Sequence, residues 1–405
     1  MQPRRLLAFR GILRHMRLGT RRVLDLGADL SDDHRLLFET THAFASGRVA
    51  PGAADRDEHE RFPVELLPEL AEHGLLAMKV PEADGGSALD NVGYVLAMAA
   101  IAEACASTAV ILASSNLATK ILSDHGDDAQ RARWLAPYAR GELGPASFAL
   151  TEPHAGSDAA AIRTTARRDG DGWVLDGQKM WITSAAQAGL HVVFAKTDPE
   201  AGARGIGCFV IPGGTPGLTV GREERKMGLR SSGTAALTFE ACRVPADACL
   251  GAPGAGYGIA LGALGAGRVG IAAQSLGIAE AALEAGVAYA LDRRAFGHRL
   301  TDFQNSQFVL ADCRMELDAA WLLTLRAARM LDAGAAARAE TSMAKVAASE
   351  ACGRVVDRMV QLHGGYGYSR EYPIERLYRD ARITRIYEGA NEIQRLVIAR
   401  SILGA

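Results

Sequence analysis

The chain has 405 residues, 48% of them hydrophobic, which is enough for two or three domains built around substantial cores. Its net charge of -2 at pH 7 and pI of about 6.6 argue against a dedicated nucleic-acid binder, because such proteins carry a strong basic excess. The cysteines form no C-x-x-C pair, and no group of histidines, cysteines and carboxylates has metal-ligand spacing. We therefore expect a reducing compartment, no disulfide framework and no metal site.

The chain begins with a segment rich in arginine, because 7 arginines precede Asp25, the first acidic residue. We interpret residues 1–30 as a basic N-terminal arm and predict that it is disordered. A transit-like amphipathic segment and an upstream translation start are the alternatives. Across the whole chain, no apolar run approaches the roughly 18 residues that a membrane-spanning helix needs, so we expect no membrane span.

Residues 31–147 have the apolar spacing of helices. Ser31 is a predicted N-cap at the start of the first helix. Two long helical stretches follow at about residues 91–106 and 107–122. We predict that this region is an all-helical N-terminal domain.

The pattern changes to short β-rich runs over residues 148–255. Asp-Gly pairs within residues 169–172 and 176–177 separate several of these runs, and such pairs are typical of hairpin turns. We predict a central antiparallel β domain here.

Residues 256–405 return to helical spacing, with three stretches longer than the usual globular helix, which favours a bundle. Strands and helices do not alternate along the chain, so a doubly wound nucleotide-binding sheet is not expected. Gly265–Gly270 matches G-x-G-x-x-G, but no predicted strand precedes it, so we interpret these glycines as points of close packing or ligand approach. The fold class is α+β and multidomain, with an all-α domain, an antiparallel β domain and a C-terminal helical bundle.

The segment Ile386–Arg395 is the strongest candidate for catalysis. Glu388 precedes Gly389, whose backbone can turn tightly and approach a ligand, and helical spacing resumes near Asn391. An acid on such a turn suits a general base in a closed apolar pocket. From this segment alone, an ordinary loop carboxylate before a helix is an equal alternative.

Two further segments have the residues of a cofactor site. Leu150–Asp158 combines a proline, small residues and several hydroxyl and backbone donors, which can surround a polar ring edge and a phosphate. Trp181 and Thr183, at the end of a predicted strand, can face a planar cofactor. A domain-linking turn and ordinary core pairing are the respective alternatives.

From Ser31 onward, the chain resembles the acyl-CoA dehydrogenase family of flavoproteins. Each matching stretch is weak by itself, but together they occur in the order and spacing of that family. The stretches are residues 150–158, 179–183, 226–230, 239–240, 244–245, 256–268, 294–297, 361–367 and 379–395.

The resemblance implies an N-terminal helical domain, a central β domain and a C-terminal four-helix bundle, with bound FAD and assembly into a homotetramer. It implies α,β-dehydrogenation of an acyl-CoA to the trans-2-enoyl-CoA in fatty acid β-oxidation, with an electron-transfer flavoprotein as electron acceptor. Glu388 would be the base that removes the α-proton while a hydride passes to flavin N5. The Glu388 N–H and a ribityl hydroxyl would hold the thioester carbonyl.

The same resemblance implies roles for further residues. Substrate contacts are implied for Ser157, Arg268, Tyr387 and Gly389, with Ile111, Leu112 and Ser115 facing the acyl tail. Contacts with the flavin half of the cofactor are implied for Phe148, Leu150, Thr151, Gly156, Ser157, Trp181, Ile182 and Thr183. Contacts with its adenosine half, partly across a subunit interface, and with its pyrophosphate are implied for Arg294, Phe296, Gln304, Gln361, Gly364, Gly365, Asn391 and Glu392.

The chain departs from the family pattern at several positions. Gly267 has no carboxylate at the position where one subgroup keeps its base, so Glu388 is the only candidate. Ala390 replaces a threonine that often follows Glu-Gly, which removes one hydroxyl contact to FAD. No arginine lies among the predicted tail-facing residues, which disfavours a dicarboxylic substrate, and these motifs do not encode the length or branching of the tail.

Three alternative functions stay open at this point. They are the same oxidation of an acyl carrier protein thioester, an acyl-CoA oxidase that passes electrons to O₂, and a non-dehydrogenating flavin protein that binds DNA. The net charge disfavours the last alternative, and we expect no nucleic-acid partner. The expected location is the cytoplasm if the chain is bacterial, and the mitochondrial matrix if it is eukaryotic.

Overall fold

The computed structural model describes residues 18–27 and 29–404. Most of the predicted basic arm, residues 1–17, lies outside the described residues, as does Ala28.

The described part of the arm is folded, which corrects the prediction of disorder for it. Thr20–Asp25 form a 3-10 helix in which Thr20 and Val23 are fully buried. The Thr20 N–H donates to Glu103 Oε2 at 3.1 Å. Arg22 and Asp318 form a salt bridge of 2.8 Å, which connects this segment to the C-terminal part of the chain.

The N-terminal part of the chain is helical, as the sequence predicts. Ser31 caps the first helix, because its hydroxyl accepts a hydrogen bond from the His34 N–H at 3.2 Å. Asp90 and Asp127 cap two later helices in the same way. The helices are α1 (Asp32–Phe44), α2 (Ala53–Glu58), α3 (Leu67–Glu72), α4 (Asn91–Ala104), α5 (Ala106–His125) and α6 (Asp128–Ala139).

Strands occupy the middle of the chain and form, within the described residues, one 8-stranded sheet in the order β6-β7-β3-β2-β4-β5-β8, with β1 paired to β4. Most neighbours are antiparallel, as predicted, but β1 and β2 run parallel to β4. Parallel neighbours need a crossover connection between strands. No local motif in the sequence indicates such a connection, so these parallel pairs were not predicted. The strands are β1 (Ala146–Ala149), β2 (Thr165–Asp169), β3 (Gly172–Thr183), β4 (Leu190–Lys196), β5 (Ile206–Pro212), β6 (Leu218–Val220), β7 (Thr234–Val244) and β8 (Cys249–Leu250).

The C-terminal part returns to helices. Three long helices pack against one another, and the last helix packs on the third of them. A small antiparallel hairpin follows the first long helix. The elements are α7 (Gly256–Asp292), β9 (Arg294–Ala295), β10 (His298–Arg299), α8 (Gln304–Asp332), α9 (Arg338–His363), α10 (Pro373–Ala381) and α11 (Asn391–Leu403).

Helix α7 is the centre of the molecule. Among the described helices it alone is long and apolar enough to cross a membrane by length and composition, with a mean hydropathy of 1.3. The sequence prediction that no apolar run approaches this length was therefore too strong. In the structure, 61% of its apolar window is buried, and α7 packs against α4, α5 and α9. Its apolar surface thus joins the helical domain to the bundle.

The glycines of Gly265–Gly270 lie inside α7 and not between a strand and a helix. This placement agrees with the interpretation that the segment is no dinucleotide fingerprint. A Cβ built on Gly270 would lie 2.6 Å from the Tyr94 hydroxyl, so glycine at this position allows α4 and α7 to approach closely.

Candidate active site

Glu388 lies on a turn between two helices. Helix α10 ends at Ala381, a 3-10 helix at Arg382–Arg385 follows, and α11 begins at Asn391. The backbone φ is 50° at Glu388 and 90° at Gly389. A positive φ costs a glutamate about 1–3 kcal/mol, whereas glycine adopts it freely. The turn therefore depends on contacts that hold it in place.

Two donors from neighbouring helices hold the Gly389 carbonyl. Lys345 Nζ of α9 donates to it at 3.0 Å, and Gln394 Nε2 of α11 donates at 3.1 Å. Lys345 also donates to Asn391 Oδ1 at 2.8 Å, and Asn391 Nδ2 donates to Ser349 Oγ at 3.0 Å. The side chain of Asn391, a predicted pyrophosphate contact, is thus engaged within the protein. This buried network fixes the geometry of the turn.

The Glu388 carboxylate faces α7. A Cβ built on Gly267 would lie 3.1 Å from Glu388 Oε2 and 3.3 Å from Leu117 Cδ1 of α5. One turn further along α7, Gly270 lies against Tyr94 of α4. The two glycines therefore leave space for a carboxyl group and a phenol in an enclosure formed by α4, α5 and α7.

The burial and the charges around Glu388 favour a carboxylate that accepts a proton near neutral pH. Burial raises the pKa of Glu388 to about 7, while the positive charges of Lys345 and Arg268 oppose that rise. A carboxylate with a pKa near the working pH is a better proton acceptor than an ordinary surface acid. Burial, together with the charge of Glu388, raises the pKa of Tyr94, so this phenol stays protonated and can donate a hydrogen bond.

The backbone near Glu388 offers donors to a ligand. Within the described part of the chain, the N–H groups of Glu388, Gly389 and Ala390 make no hydrogen bond. Helix α11 starts directly afterwards and has no side-chain cap, and Glu392 in its first turn is exposed. An uncapped helix N-terminus carries partial positive charge and favours an anion.

Arg268 and Tyr387, both predicted substrate contacts, lie beside this turn and are anchored by the protein. Arg268 Nη1 donates to Ser342 Oγ at 3.0 Å, whereas its Nε is buried with no acceptor among the described residues. The Tyr387 hydroxyl donates to Gln274, and its ring packs against the main core. Among the predicted residues, the structure thus brings Arg268, Tyr387, Glu388 and Gly389 together.

A buried ion pair connects the two predicted cofactor segments of the β domain. Lys179 Nζ, on a fully buried side chain, lies 2.7 Å from Glu152 Oε1 and donates to the Leu150 carbonyl at 3.2 Å. The Met180 N–H donates to the Thr151 carbonyl at 2.9 Å. The loop that holds Leu150 and Thr151 is therefore fixed against β3.

Trp181 lies in a β-bulge of β3. The register with β7 shifts between Lys179 and Ile182, and Trp181 has a φ of 63°. Because a bulge re-aims a side chain, the indole turns outward and is 57% exposed, whereas Ile182 is buried. Thr183 is half-buried at the end of the same strand.

The remaining residues predicted near the flavin differ in their surroundings. Phe148 packs against Phe194 with ring centroids 5.2 Å apart, so part of its ring surface is buried against the core. Gly156 and Ser157 are exposed on the loop after β1.

The residues predicted for the adenosine half gather at one end of the bundle. An open cavity of about 540 Å³ at the end of α9 has a lining that includes Tyr289 and Arg293 but not Glu388. Phe296, on the β9–β10 hairpin, is 93% exposed. The predicted residues Gln361, Gly364 and Gly365 line the cavity, and Arg294 and Gln304 are exposed on neighbouring elements.

The predicted tail-facing residues of α5 are almost fully buried. Leu112 is fully buried in the main core, and Ile111 is 1% exposed. Ser115 Oγ accepts from the Ala146 N–H at 3.2 Å, so its hydroxyl holds β1 in place. In the middle of α5, exposures of 4–8% occur on one stripe with helical spacing, which consists of Val110, Ala113, Ser114 and Leu117.

Sequence reasoning missed Lys345, Gln394 and Tyr94. A signal for Lys345 was present, because it is a lysine on a helix face whose neighbours at three and four residues are small, namely Thr341, Ser342, Ala348 and Ser349. A long cation among small side chains is typical of a buried charge with a specific partner. For Tyr94, nothing in the local sequence indicates a position beside Glu388.

Comparison with known proteins gives a consistent result. The chain matches three domain models of one family: the acyl-CoA dehydrogenase N-terminal domain over residues 31–142, the middle domain over residues 147–242 and the C-terminal domain over residues 254–403. The matches cover most of the chain in the same order as the predicted fold, which is thereby confirmed.

Individual relatives agree with the family match. The human "Short-chain specific acyl-CoA dehydrogenase, mitochondrial" is 48% identical over 377 residues, which are 93% of this chain and 91% of the relative. The butyryl-CoA dehydrogenase of Megasphaera elsdenii has a TM-score of 0.90 at 39% identity, covering 93% of this chain and 99% of that one. A chain in a study of the electron transferring flavoprotein of Acidaminococcus fermentans has a TM-score of 0.91 at 38% identity, covering 93% and 100%. The chain therefore belongs to the acyl-CoA dehydrogenase family.

Proposed function

We propose that this protein catalyses the FAD-dependent α,β-dehydrogenation of a short-chain acyl-CoA thioester, with Glu388 as the catalytic base. The observation that carries the proposal is the position of the Glu388 carboxylate against Gly267 of α7 and near Leu117 of α5, beside backbone N–H groups that make no hydrogen bond within the described part of the chain. Family membership gives the reaction class. The names of the human and Megasphaera elsdenii relatives support a short acyl chain.

The residues present fit FAD, the cofactor of this family. The outward indole of Trp181 offers a flat surface for an isoalloxazine, and Thr151 and Thr183 offer hydroxyl groups for its edge. The uncapped start of α11 suits a pyrophosphate. When bound, FAD supplies the two-electron acceptor for the reaction.

The chain's own residues perform the proton transfer. Glu388 takes the α-proton onto its carboxylate, and entry of an apolar acyl chain expels water and raises its basicity further. The Glu388 N–H donates to the thioester carbonyl, which increases the acidity of the neighbouring carbon. Arg268 and Lys345 place positive charge beside the site and keep a useful fraction of Glu388 ionised near neutral pH.

We assign the acyl tail to the least buried stripe of α5, defined by Val110, Ala113, Ser114 and Leu117. Leu117 Cδ1 lies near Gly267, against which the Glu388 carboxylate packs. The stripe contains no charged side chain. It therefore suits a simple apolar acyl group and not a dicarboxylic one.

We propose an electron-transfer flavoprotein as electron acceptor, supported by the similarity to the chain studied with the electron transferring flavoprotein of Acidaminococcus fermentans. We also propose a homotetramer. Phe308, Met315 and Leu322 are 64%, 64% and 48% exposed at seven-residue spacing on α8, which is a face that a second copy could cover. A prolyl acyl carrier protein oxidase is also similar, but at 31% identity it is more distant than the short-chain acyl-CoA dehydrogenase at 48%, so the carrier-protein and oxidase alternatives are not favoured.

The proposal is tested by anaerobic reduction of the purified yellow protein with acyl-CoAs of increasing length. Glu388→Gln keeps the shape of the side chain and removes the base. We expect it to retain FAD and to bind acyl-CoA, yet to lose about 10³-fold or more in the rate of flavin bleaching. Glu72→Gln, at an exposed carboxylate of α3, is the matched control. Near-normal bleaching by Glu388→Gln would falsify the assignment of the base.

A further inference from the structure

Lys345 is a buried cation in the N-terminal third of α9, with no exposed surface. Its Nζ donates to the Gly389 carbonyl at 3.0 Å and to Asn391 Oδ1 at 2.8 Å. Both acceptors lie within three residues of Glu388 on its C-terminal side. Burying an ammonium group costs free energy unless specific partners compensate for its lost hydration. Packing alone therefore does not explain a lysine at this position.

The Gly389 carbonyl has a second donor that carries no charge. Gln394 Nε2 lies 3.1 Å from it, and Gln394 Oε1 accepts from Ser342 Oγ at 3.0 Å. Ser342 Oγ in turn accepts from Arg268 Nη1. Two helices therefore hold one peptide group, one through a cation and one through an amide.

The charged groups around Glu388 come from several elements. Lys345 lies on α9 and Arg268 on α7, and both oppose the burial that raises the pKa of Glu388. Tyr94 of α4 and Tyr387 of the same turn stay neutral, because burial raises the pKa of each. Lys345 is the cation whose charge acts most strongly on Glu388.

The charged groups around Lys345 itself are Glu388, Arg268, Glu350 and Glu392. Burial lowers the pKa of Lys345 to about 8, which the charge of Glu388 opposes. Lys345 is therefore charged below about pH 8, over the range in which Glu388 titrates.

We infer that Lys345 is a positioning residue of the dehydrogenation: it holds the Glu388–Gly389 turn in its strained conformation and keeps a positive charge beside the base. This inference rests on the proposed function of Glu388. Lys345 touches the turn and not the reacting carbon, so it forms no bond with substrate and transfers no proton. Its effect is to keep Glu388 ionised and aimed at pH values where the unsupported carboxyl would be protonated.

The experiment compares the two donors to the same carbonyl in the FAD-loaded protein. Lys345→Met removes the charge and the two hydrogen bonds of the lysine, whereas Gln394→Leu removes the two hydrogen bonds of the glutamine and no charge. We expect both variants to reduce flavin more slowly. Only Lys345→Met should also shift the low-pH limb of the rate profile to higher pH, by about one pH unit, because the positive charge beside Glu388 is gone. At a pH below the limbs of both proteins, this shift is a roughly tenfold lower rate of flavin reduction.

A second measurement does not depend on turnover. The carboxyl stretch of Glu388, identified by its absence in Glu388→Gln, reports its ionisation in infrared difference spectra taken across the pH range. We expect its midpoint to rise in Lys345→Met and to stay unchanged in Gln394→Leu. If Lys345→Met does not fold, Lys345→Gln replaces it, because glutamine keeps a donor for the Gly389 carbonyl and carries no charge.

An unshifted midpoint and rate profile in the lysine variants would overturn the inference, as would an equal shift in Gln394→Leu. These outcomes differ from failure of the proposed function, in which Glu388→Gln itself reduces flavin normally. If Glu388→Gln no longer reduces flavin but the lysine variants show no shift of the rate profile or of the Glu388 midpoint, the proposed function stands and only the positioning role of Lys345 is wrong.

Discussion

Gly267 and Glu388 occupy adjoining space, because a Cβ on Gly267 would come within 3.1 Å of Glu388 Oε2. Position 267 lies on α7, at the point where one subgroup of the family is expected to keep its base. In this chain the absent side chain has a direct consequence, since it leaves room for a carboxyl group that enters from the turn before α11.

Gly267→Ala therefore should slow catalysis without loss of cofactor. A contact of 3.1 Å is tighter than ordinary packing, so either Glu388 or Leu117 has to shift. Overpacking of this kind costs about 1–3 kcal/mol, and we expect roughly a tenfold slower flavin reduction. The measurement is anaerobic stopped-flow bleaching by a short-chain acyl-CoA. Gly265→Ala on the same helix is the control, because nothing lies within 4 Å of a Cβ there.

The raised pKa of Glu388 has a consequence for stability that is independent of turnover. Because this pKa rises from its ordinary value of 4.5 to about 7, the native state holds the proton more tightly than the unfolded chain does. The stability gained in this way is complete below about pH 4.5 and is lost as the pH rises through about 7.

We therefore expect Glu388→Gln to be more stable than the wild-type protein at pH 8, and the difference to shrink towards pH 5. The free energy of unfolding of both proteins, measured by denaturant titration at the two pH values, provides the test. The same difference at both pH values would show that Glu388 does not titrate in this range.

Much of the architecture could be predicted because its signals are local. The cap at Ser31, the Asp-Gly hairpin turns and the long helical stretches of the bundle depend on neighbours in sequence, and they recur in the structure. The Glu388 turn was also predictable, since an acid before a glycine and a new helix is a local pattern.

The errors concern contacts between distant parts of the chain. Periodicity does not mark which side of α5 would face an acyl tail, because most residues in the middle of that helix are small or apolar. The folded segment before α1 was missed because its partners, Glu103 and Asp318, are far away in sequence. Tyr94 and Lys345 were also missed because they lie far from Glu388 in sequence and come near it only through the packing of helices.

The segment around Thr20 should contribute to stability. Val23 is fully buried, so Val23→Ala leaves a small cavity, and we expect a loss of about 2 kcal/mol in the free energy of unfolding. Arg21→Ala is the control, because Arg21 pairs with Glu39 at the surface, where ion pairs contribute little. Equal stability of both variants would show that this segment does not contribute to the fold, as the sequence prediction of a disordered arm implies.

The α5 stripe should set the length of the acyl chain. Ser114→Leu adds apolar volume to this stripe, and we expect kcat/KM for the longest accepted acyl-CoA to fall about tenfold while that for the shortest changes little. Leu117→Ala removes volume beside Gly267 and should shift the preference towards longer chains. The measurement is kcat/KM across a series of straight-chain acyl-CoAs. Opposite shifts in the two variants are required, and an unchanged length profile in both would place the tail elsewhere.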